Sequence, residues 1–256
     1  MRKIRLTVSY DGTPFQGWQK QPGLNTVQGT LEEVLTQIYS EPIKVIGSGR
    51  TDAGTHAVAQ VAHFEAPKIL SSEAKLVRSL NAMLPPEIAV KGAWLAPDDF
   101  HALASARRKT YIYRIWNHPI RSALWSKRAL WVPQELNLRL LQGLARQVIG
   151  RRDFKSFQTS GTPVKSTVRT VDLCHFEPHK NLLELRIRGN GFLKQMVRNL
   201  VGTMLHIERN RGDIADFRAI FEATDRQAAK ATAAAHGLYL YRVEYPRALD
   251  NKCRKL

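Results

Sequence analysis

Apolar residues in this chain recur with two different spacings, and the spacing changes from one short segment to the next. In residues 3–10 they alternate with polar residues, which predicts a strand with one buried face. In residues 27–38 they recur every three or four positions, which predicts an amphipathic helix that follows Asn25, with Gln28 completing a capping box. Short strands interspersed with helices predict an α+β fold.

The second half of the chain repeats the plan of the first. Strands are predicted at residues 110–117, 167–178, 181–189 and 238–246, and helices at 135–149, 191–208 and 225–236. The last helix is rich in alanine and has Gly237 as its C-terminal cap, and disorder is predicted for residues 251–256. The sequence therefore predicts two similar subdomains, each a mainly antiparallel sheet flanked by helices, with the sheets joined side by side around a central cleft.

Charge is distributed unevenly, and the change places the domain boundary near residue 105. Residues 1–105 hold 10 basic and 10 acidic side chains, whereas residues 106–256 hold 29 and 12, which accounts for the whole net charge of +17. A basic half favours a polyanionic partner, because neutralising phosphates releases their counterions. A merely basic surface and attraction to acidic lipid are the alternatives. Basic residues interleaved with aromatic ones, as in residues 107–116, disfavour a membrane-surface helix.

Composition indicates a cytoplasmic protein. The chain is 43% hydrophobic and 24% charged, and it has no run of about 18 apolar residues that could span a membrane. The first residues alternate and lack the apolar core of a signal peptide. Cys174 and Cys253 form no CxxC pair, so we expect reduced thiols.

Three glycines, an arginine and a carboxylate are concentrated in residues 47–56, Gly-Ser-Gly-Arg-Thr-Asp-Ala-Gly-Thr-His. Glycines allow a tight backbone that a ligand can approach closely. The segment lacks the Gly-Lys-Ser/Thr of a P-loop and the glycine spacing of a dinucleotide fingerprint. By itself it is also compatible with a hairpin turn in which Asp52 caps its own backbone and pairs with Arg50.

This segment resembles the active-site signature of the TruA family of tRNA pseudouridine synthases, Gly-Arg-Thr-Asp-Ala-Gly-x-His. Four further segments resemble motifs of that family in the same order, so that the resemblance covers essentially the whole chain. They are residues 10–33, 98–117, 189–205 and 237–246.

The resemblance implies an isomerase that breaks the C1′–N1 bond of uridine, turns the base and joins C1′ to C5. Asp52 corresponds to the catalytic carboxylate, and Arg50 holds it ionised or fills the space left by the extruded base. Arg198 resembles the arginine that pairs with the carboxylate. Tyr111 resembles the tyrosine that stacks on the flipped uracil, and Leu238 resembles a residue beside that base.

The residues alone leave several points open. Tyr113 lies on the same strand face as Tyr111, and either ring could belong to the core. Arg198 without the resemblance is a solvated helical charge. Asp52 could attack C1′ or remove the 2′ proton to give a glycal, and the sequence does not distinguish the two routes.

The family's substrates and assembly complete the expectation. The resemblance implies tRNA as substrate, at uridines 38, 39 and 40 of the anticodon stem-loop, and a homodimer. An isomerisation requires no cofactor or metal, and none is expected. His56, His63 and His101 lie on separate segments without cysteine partners, which disfavours a zinc site.

One position departs from the family pattern. Where the family has Phe-His-Ala-Arg, this chain has Leu103 as the fourth residue, and leucine cannot contact a phosphate through a charge. We expect the nearby Arg107, Arg108 and Lys109 to supply the RNA contact.

The sequence disfavours two other functions. A non-catalytic RNA-binding or chaperone protein with the same fold is disfavoured because Asp52, Arg50, Tyr111 and Arg198 are all present. A glycosidase or nucleotide hydrolase would need a second placed carboxylate or a metal cluster, and the sequence shows neither.

Overall fold

The computed structural model describes residues 2–67, 72–161 and 164–255. It confirms the α+β class, with six α-helices in this part of the chain and mostly antiparallel strand pairs, among which one pair is parallel. None of the helices combines the length and the apolar character that crossing a membrane requires.

By its internal contacts the chain divides into two units. One runs from the N-terminus to Arg108 and includes the chain from Leu240 onward, and the other is Lys109–Tyr239. The predicted domains, 1–105 and 106–256, stay a prediction, and so does the arrangement of the two sheets around a cleft.

The sheet of the first unit is built on the predicted N-terminal strand. β1 (Arg2–Tyr10) pairs antiparallel with β3 (His56–Ala66) and with β4 (Ile88–Leu95). β2 (Val45–Gly47) pairs with the other edge of β3. Alternate residues of β1 are buried, as the period of two requires.

Two of the helices of this unit lie between its strands. α1 (Val27–Tyr39) and α2 (Glu73–Met83) both begin at a capping hydroxyl, Thr26 for the first and Ser72 for the second. The predicted capping box is wrong: Gln28 instead accepts the Lys20 amide through Oε1 and donates through Nε2 to Glu32 and to the Val45 carbonyl.

The second unit has a sheet of five strands in the order β6-β5-β9-β8-β7. β5 (Arg108–Asn117), β9 (Leu182–Gly189), β8 (Val168–His179) and β7 (Gly150–Asp153) are antiparallel neighbours. β6 (Leu130–Val132) adds to the end of β5 in parallel. The predicted strands at 167–178 and 181–189 are confirmed as β8 and β9, which form a hairpin.

Three helices belong to this unit. α3 (Leu138–Val148) and α4 (Met196–Arg209) confirm two predicted helices, although both are shorter than predicted. α5 (Ile214–Ala223) was not predicted, and it begins at a capping box between Asp213 and Asp216. Phenylalanines from α5 and from the segment after β7 form an aromatic cluster in the core.

The predicted alanine-rich helix at 225–236 is wrong. These residues form turns and extended chain, followed by a short 3₁₀ helix that includes Gly237, and β10 (Leu238–Glu244) begins directly after it. The segment runs along α4 and bonds to it: the Ala233 amide donates to the Arg198 carbonyl at 3.1 Å, and the Lys230 amide donates to Thr203 Oγ1 at 3.2 Å. These contacts replace the hydrogen bonds that a helix would have made.

The prediction of a disordered tail is also wrong for its described residues. α6 (Arg247–Asp250) follows β10, and β11 (Arg254–Lys255) pairs with β4. Arg5 holds this region, since its guanidinium bonds to Asp250 at 2.6 Å and lies 5.0 Å from the centre of the Tyr245 ring. Leu256 lies outside the described residues.

Candidate active site

Asp52 stands on the loop that joins β2 to β3 in the first unit. It is half-buried, whereas Arg50 on the same loop is exposed. The start of the loop is fixed from β3: the Ser48 amide donates to the Val61 carbonyl at 2.7 Å, and Gln60 Nε2 donates to the Gly49 carbonyl at 2.9 Å. The sequence-predicted carboxylate therefore lies on a loop with ordered hydrogen bonds.

A second loop, residues 11–18, lies directly against the Asp52 loop. The Trp18 amide donates to the Thr51 carbonyl at 3.1 Å, and the Gly54 amide donates to the Phe15 carbonyl at 3.3 Å. Gly17 has a φ of +93°, and a Cβ there would lie 2.7 Å from the Thr51 carbonyl oxygen. Only glycine meets both requirements, which explains this residue in the N-terminal motif.

His56 closes the far end of the Asp52 loop. It is 2% exposed, and its Nδ1 accepts the Gly12 amide at 3.0 Å, with Asp11 Oδ1 at 3.1 Å from the same nitrogen. His56 thus connects the two loops.

Burial separates the two tyrosines of β5. Tyr113 is completely buried, and its hydroxyl donates to the Ala234 carbonyl at 2.8 Å. Tyr111 keeps 8% exposure, and its ring packs edge-on against Phe192 with 5.0 Å between centroids. Tyr113 is therefore a core residue, whereas Tyr111, although also largely buried, keeps a small exposed fraction.

Arg198 and Leu238 are connected in the second unit by the segment that follows α5. Arg198 is half-buried in the first turn of α4, and its Nε donates to the Ala233 carbonyl at 2.8 Å. Five residues later the buried Leu238 begins β10. Between them lies His236, where burial and the nearby Arg198 charge both lower the imidazole pKa.

The three expected RNA contacts differ in exposure. Arg107 and Arg108 are exposed, whereas Lys109 is half-buried at the start of β5. Burial lowers the pKa of the Lys109 ammonium from 10.5 to about 8. Arginine side chains that remain in solvent are the stronger candidates for phosphate contact.

Leu103, the position that departs from the family pattern, is 51% exposed. It follows Ala102, whose amide donates to His63 Nδ1 at 3.1 Å and whose carbonyl accepts the Tyr245 hydroxyl at 2.7 Å. An ordered turn therefore presents this leucine to solvent.

Glu177, His179 and Glu184 of the β8–β9 hairpin have ligand atoms within 4.8 Å of one another. Arginines already neutralise the two carboxylates, since Glu184 accepts Arg114 Nε at 2.8 Å and Glu177 lies 3.4 Å from Arg186. Hydrogen bonding to His175 and the Arg186 charge lower the Glu177 pKa. This group is an ion-pair cluster, and we assign it no metal.

Comparison with known proteins agrees with the geometry. The family model described as tRNA pseudouridine synthase matches residues 6–103 and 144–246. The chain belongs to the tRNA pseudouridine synthase family. It is thus an isomerase of the class that converts uridine to pseudouridine in tRNA. The matched ranges include Asp52 and Arg198, whereas Tyr111 falls between them.

Relatives named tRNA pseudouridine synthase A match over nearly the whole chain. One from Bdellovibrio bacteriovorus is 46% identical and covers 99% of both chains. One from Maridesulfovibrio salexigens is 42% identical over 96% of this chain and 91% of its own. One from Geobacillus kaustophilus is 41% identical over 95% of each.

Proposed function

We propose that the chain isomerises uridines 38, 39 and 40 in the anticodon stem-loop of tRNA, with Asp52 as the catalytic carboxylate. The observation that carries the proposal is the placement of Asp52: a half-buried carboxylate on a loop that β3 and residues 11–18 hold by backbone hydrogen bonds. A catalytic group is effective when its surroundings fix its position before the substrate binds.

The chemistry requires one carboxylate. Asp52 either attacks C1′ or removes the 2′ proton. The C1′–N1 bond breaks in both routes, the uracil turns, and C1′ bonds to C5. The C5 hydrogen leaves as a proton and N1 gains one, so that no oxidant, reductant or water is consumed. A retaining glycosidase needs a second carboxylate to protonate its leaving group and admit water, whereas here the base is recaptured.

The remaining site residues have binding roles. The target uridine leaves its stack to reach Asp52, Tyr111 stacks on the flipped uracil, and Leu238 packs beside it. Arg198 pairs with the Asp52 carboxylate, and Arg50 keeps that carboxylate ionised or occupies the space of the extruded base.

tRNA binding is electrostatic in large part. The net charge of +17 favours a polyanion, and Arg107 and Arg108 present exposed guanidinium groups. The enzyme acts in the cytoplasm as a homodimer on one tRNA.

The test compares Asp52→Asn with the wild type on unmodified tRNA transcripts that carry tritium at uridine C5. We expect the variant to fold, to bind tRNA and to release no tritium. Glu65→Gln, the same change at an exposed carboxylate of β3, is the matched control and should retain the wild-type rate. Turnover by Asp52→Asn near that of the wild type would refute the assignment.

Two further arms test the details. Transcripts in which uridines 38, 39 and 40 are replaced by cytidine should release no tritium, and release from them would refute the site assignment. Tyr111→Ala should reduce the rate by about 5- to 150-fold, the equivalent of losing one stacked base, while Tyr111→Phe keeps the ring. Full activity in folded Tyr111→Ala would exclude this ring as the stacking platform.

A further inference from the structure

Beneath the Asp52 loop lies a small group of buried polar side chains. Tyr10, Ser48, Thr51 and Gln60 are between 0% and 7% exposed. The Tyr10 hydroxyl lies 2.8 Å from Thr51 Oγ1, and Ser48 Oγ donates to Gln60 Oε1 at 2.6 Å. Burying so many polar groups is costly unless each has a partner, and here the partners are on β1, β3 and the loop itself.

Thr51, the residue before Asp52, is held at two points. Tyr10 bonds to its side chain at 2.8 Å, and the Trp18 amide bonds to its carbonyl at 3.1 Å. On the other side, the Asp52 carbonyl accepts the Thr55 amide at 3.0 Å. The peptide units on both sides of the Asp52 α-carbon are therefore fixed, and with them the direction in which the carboxylate leaves the loop.

We propose that Tyr10 is a positioning residue for the reaction, and that its hydrogen bond to the Thr51 hydroxyl sets the orientation of the Asp52 carboxylate. The inference rests on the proposed catalytic role of Asp52. Tyr10 is the last residue of β1, so the bond connects the loop to the central strand of its sheet. Burial raises the Tyr10 pKa, and either hydroxyl can be the donor in its bond with Thr51.

The same loop offers a matched control. Thr55 is 1% exposed, and its Oγ1 has no hydrogen-bond partner among the described residues. Thr51→Val and Thr55→Val thus make the same chemical change in the same loop at similar burial, and only the first removes a hydrogen bond to Tyr10.

The experiment measures single-turnover tritium release at saturating enzyme, tRNA affinity by filter binding, and thermal unfolding. We expect Tyr10→Phe and Thr51→Val each to lower the single-turnover rate about tenfold, with tRNA affinity unchanged. The double variant should be no slower than the slower single variant, because both changes break the same Tyr10–Thr51 bond, although Tyr10→Phe also removes the interaction of this hydroxyl with Gln60. Thr51→Ser keeps the hydroxyl and should restore the rate, and Thr55→Val should match the wild type.

The outcomes separate the inference from the proposed function. Losses that multiply to about a hundredfold in the double variant, or a wild-type rate in Tyr10→Phe, would overturn the positioning role while Asp52→Asn remains inactive. Loss of tRNA affinity in step with the rate would show a structural role and overturn it as well. An active Asp52→Asn in the same assay would refute the catalytic carboxylate, and the positioning role with it.

Discussion

At the scale of single residues, burial distinguishes two tyrosines whose positions in the strand pattern are equivalent. Tyr111 and Tyr113 share one face of β5, and both follow the strand pattern. Tyr113 is completely buried with its hydroxyl bonded to the Ala234 carbonyl, whereas Tyr111 retains 8% exposure. A ring without exposure cannot stack on a base that enters from solvent, so burial disfavours Tyr113, and the stacking role of Tyr111 stays a proposal.

Lys109 gives a prediction that depends on pH. Burial lowers its pKa from 10.5 to about 8, so the unfolded chain binds more protons than the folded chain between these values, and stability from this group rises with pH across that window. Lys109→Met removes the buried charge. We expect the variant to be more stable than the wild type at about pH 7, by at most about 3 kcal/mol before solvent screening reduces the difference.

The difference in the free energy of unfolding between Lys109→Met and the wild type should shrink as the pH rises and the wild-type lysine becomes neutral. Urea unfolding at about pH 7 and about pH 9.5 measures the difference between the two proteins. Arg107→Met, next to it but exposed, is the control and should show a difference that does not change with pH. If the free energies of unfolding of Lys109→Met and the wild type differ by the same amount at both pH values, the lowered pKa is contradicted.

At the scale of elements, local patterns predicted most of the strands and most of the helices, because alternation and the 3.6-residue period report directly which face is buried. They failed at 225–236, where alanine favours a helix. There the chain instead satisfies its backbone by bonding along α4, at Arg198 and Thr203. Contacts with a segment more than twenty residues away are not visible in a local pattern.

In the candidate site, too, local sequence patterns predict some residues, whereas others are recognised only from their contacts in the structure. Asp52, Arg50 and Arg198 are candidates because they stand in segments that resemble the family's motifs. Tyr10 and Gln60 were not, since a tyrosine at the end of an alternating strand and a glutamine inside another are ordinary core positions by pattern. Their significance comes from what they touch, the loop that carries Asp52.

Gly202 of α4 tests how closely the 225–236 segment packs on this helix. A Cβ at Gly202 would overlap the Ala231 carbonyl, which is backbone. We expect Gly202→Ala to lower the free energy of unfolding by about 1–3 kcal/mol, although alanine is the better helix former. Urea denaturation of both proteins measures the change.

Gly143 of α3 is the matched control for that prediction. A Cβ there would lie 2.9 Å from Ile214 Cδ1, the end of a flexible side chain. Gly143→Ala should therefore be neutral or stabilising by up to about 1 kcal/mol. Equal effects of the two substitutions would mean that the segment yields to the new methyl group and does not pack closely against Gly202.

At the scale of the whole molecule, the net charge is shared differently when it is counted by structural unit and when it is counted by halves of the sequence. The chain from Leu240 onward belongs with the first unit and carries basic residues with it. Counted by unit, Lys109–Tyr239 has 22 basic and 10 acidic side chains, a net +12, and the remainder has 17 and 12, a net +5. Both units are therefore basic, and tRNA affinity need not reside in one of them.

Salt dependence identifies which basic residues contact phosphate. Each contact adds about 0.7 to 0.9 to the slope of log affinity against log salt. Arg107 and Arg108 are exposed and close in sequence to Leu103, where the family's usual arginine is missing.

Arg186 and Arg188 of β9 are weaker candidates for phosphate contact, because Glu177 at 3.4 Å and Asp172 at 2.5 Å already neutralise them. We expect Arg107→Glu with Arg108→Glu to reduce the slope by about 1.4 to 1.8.

The control for that prediction must change the total charge equally. Arg139→Glu with Arg146→Glu alters two exposed arginines of α3, and it should lower affinity slightly through the overall field while leaving the slope intact. Filter binding at several salt concentrations measures the slopes, and single-turnover tritium release at saturating tRNA should be unchanged in both pairs. Leu103→Arg should raise the slope by about one contact. If both glutamate pairs flatten the slope equally and Leu103→Arg has no effect, tRNA does not pass along residues 103–108, and the contacts belong to another basic surface.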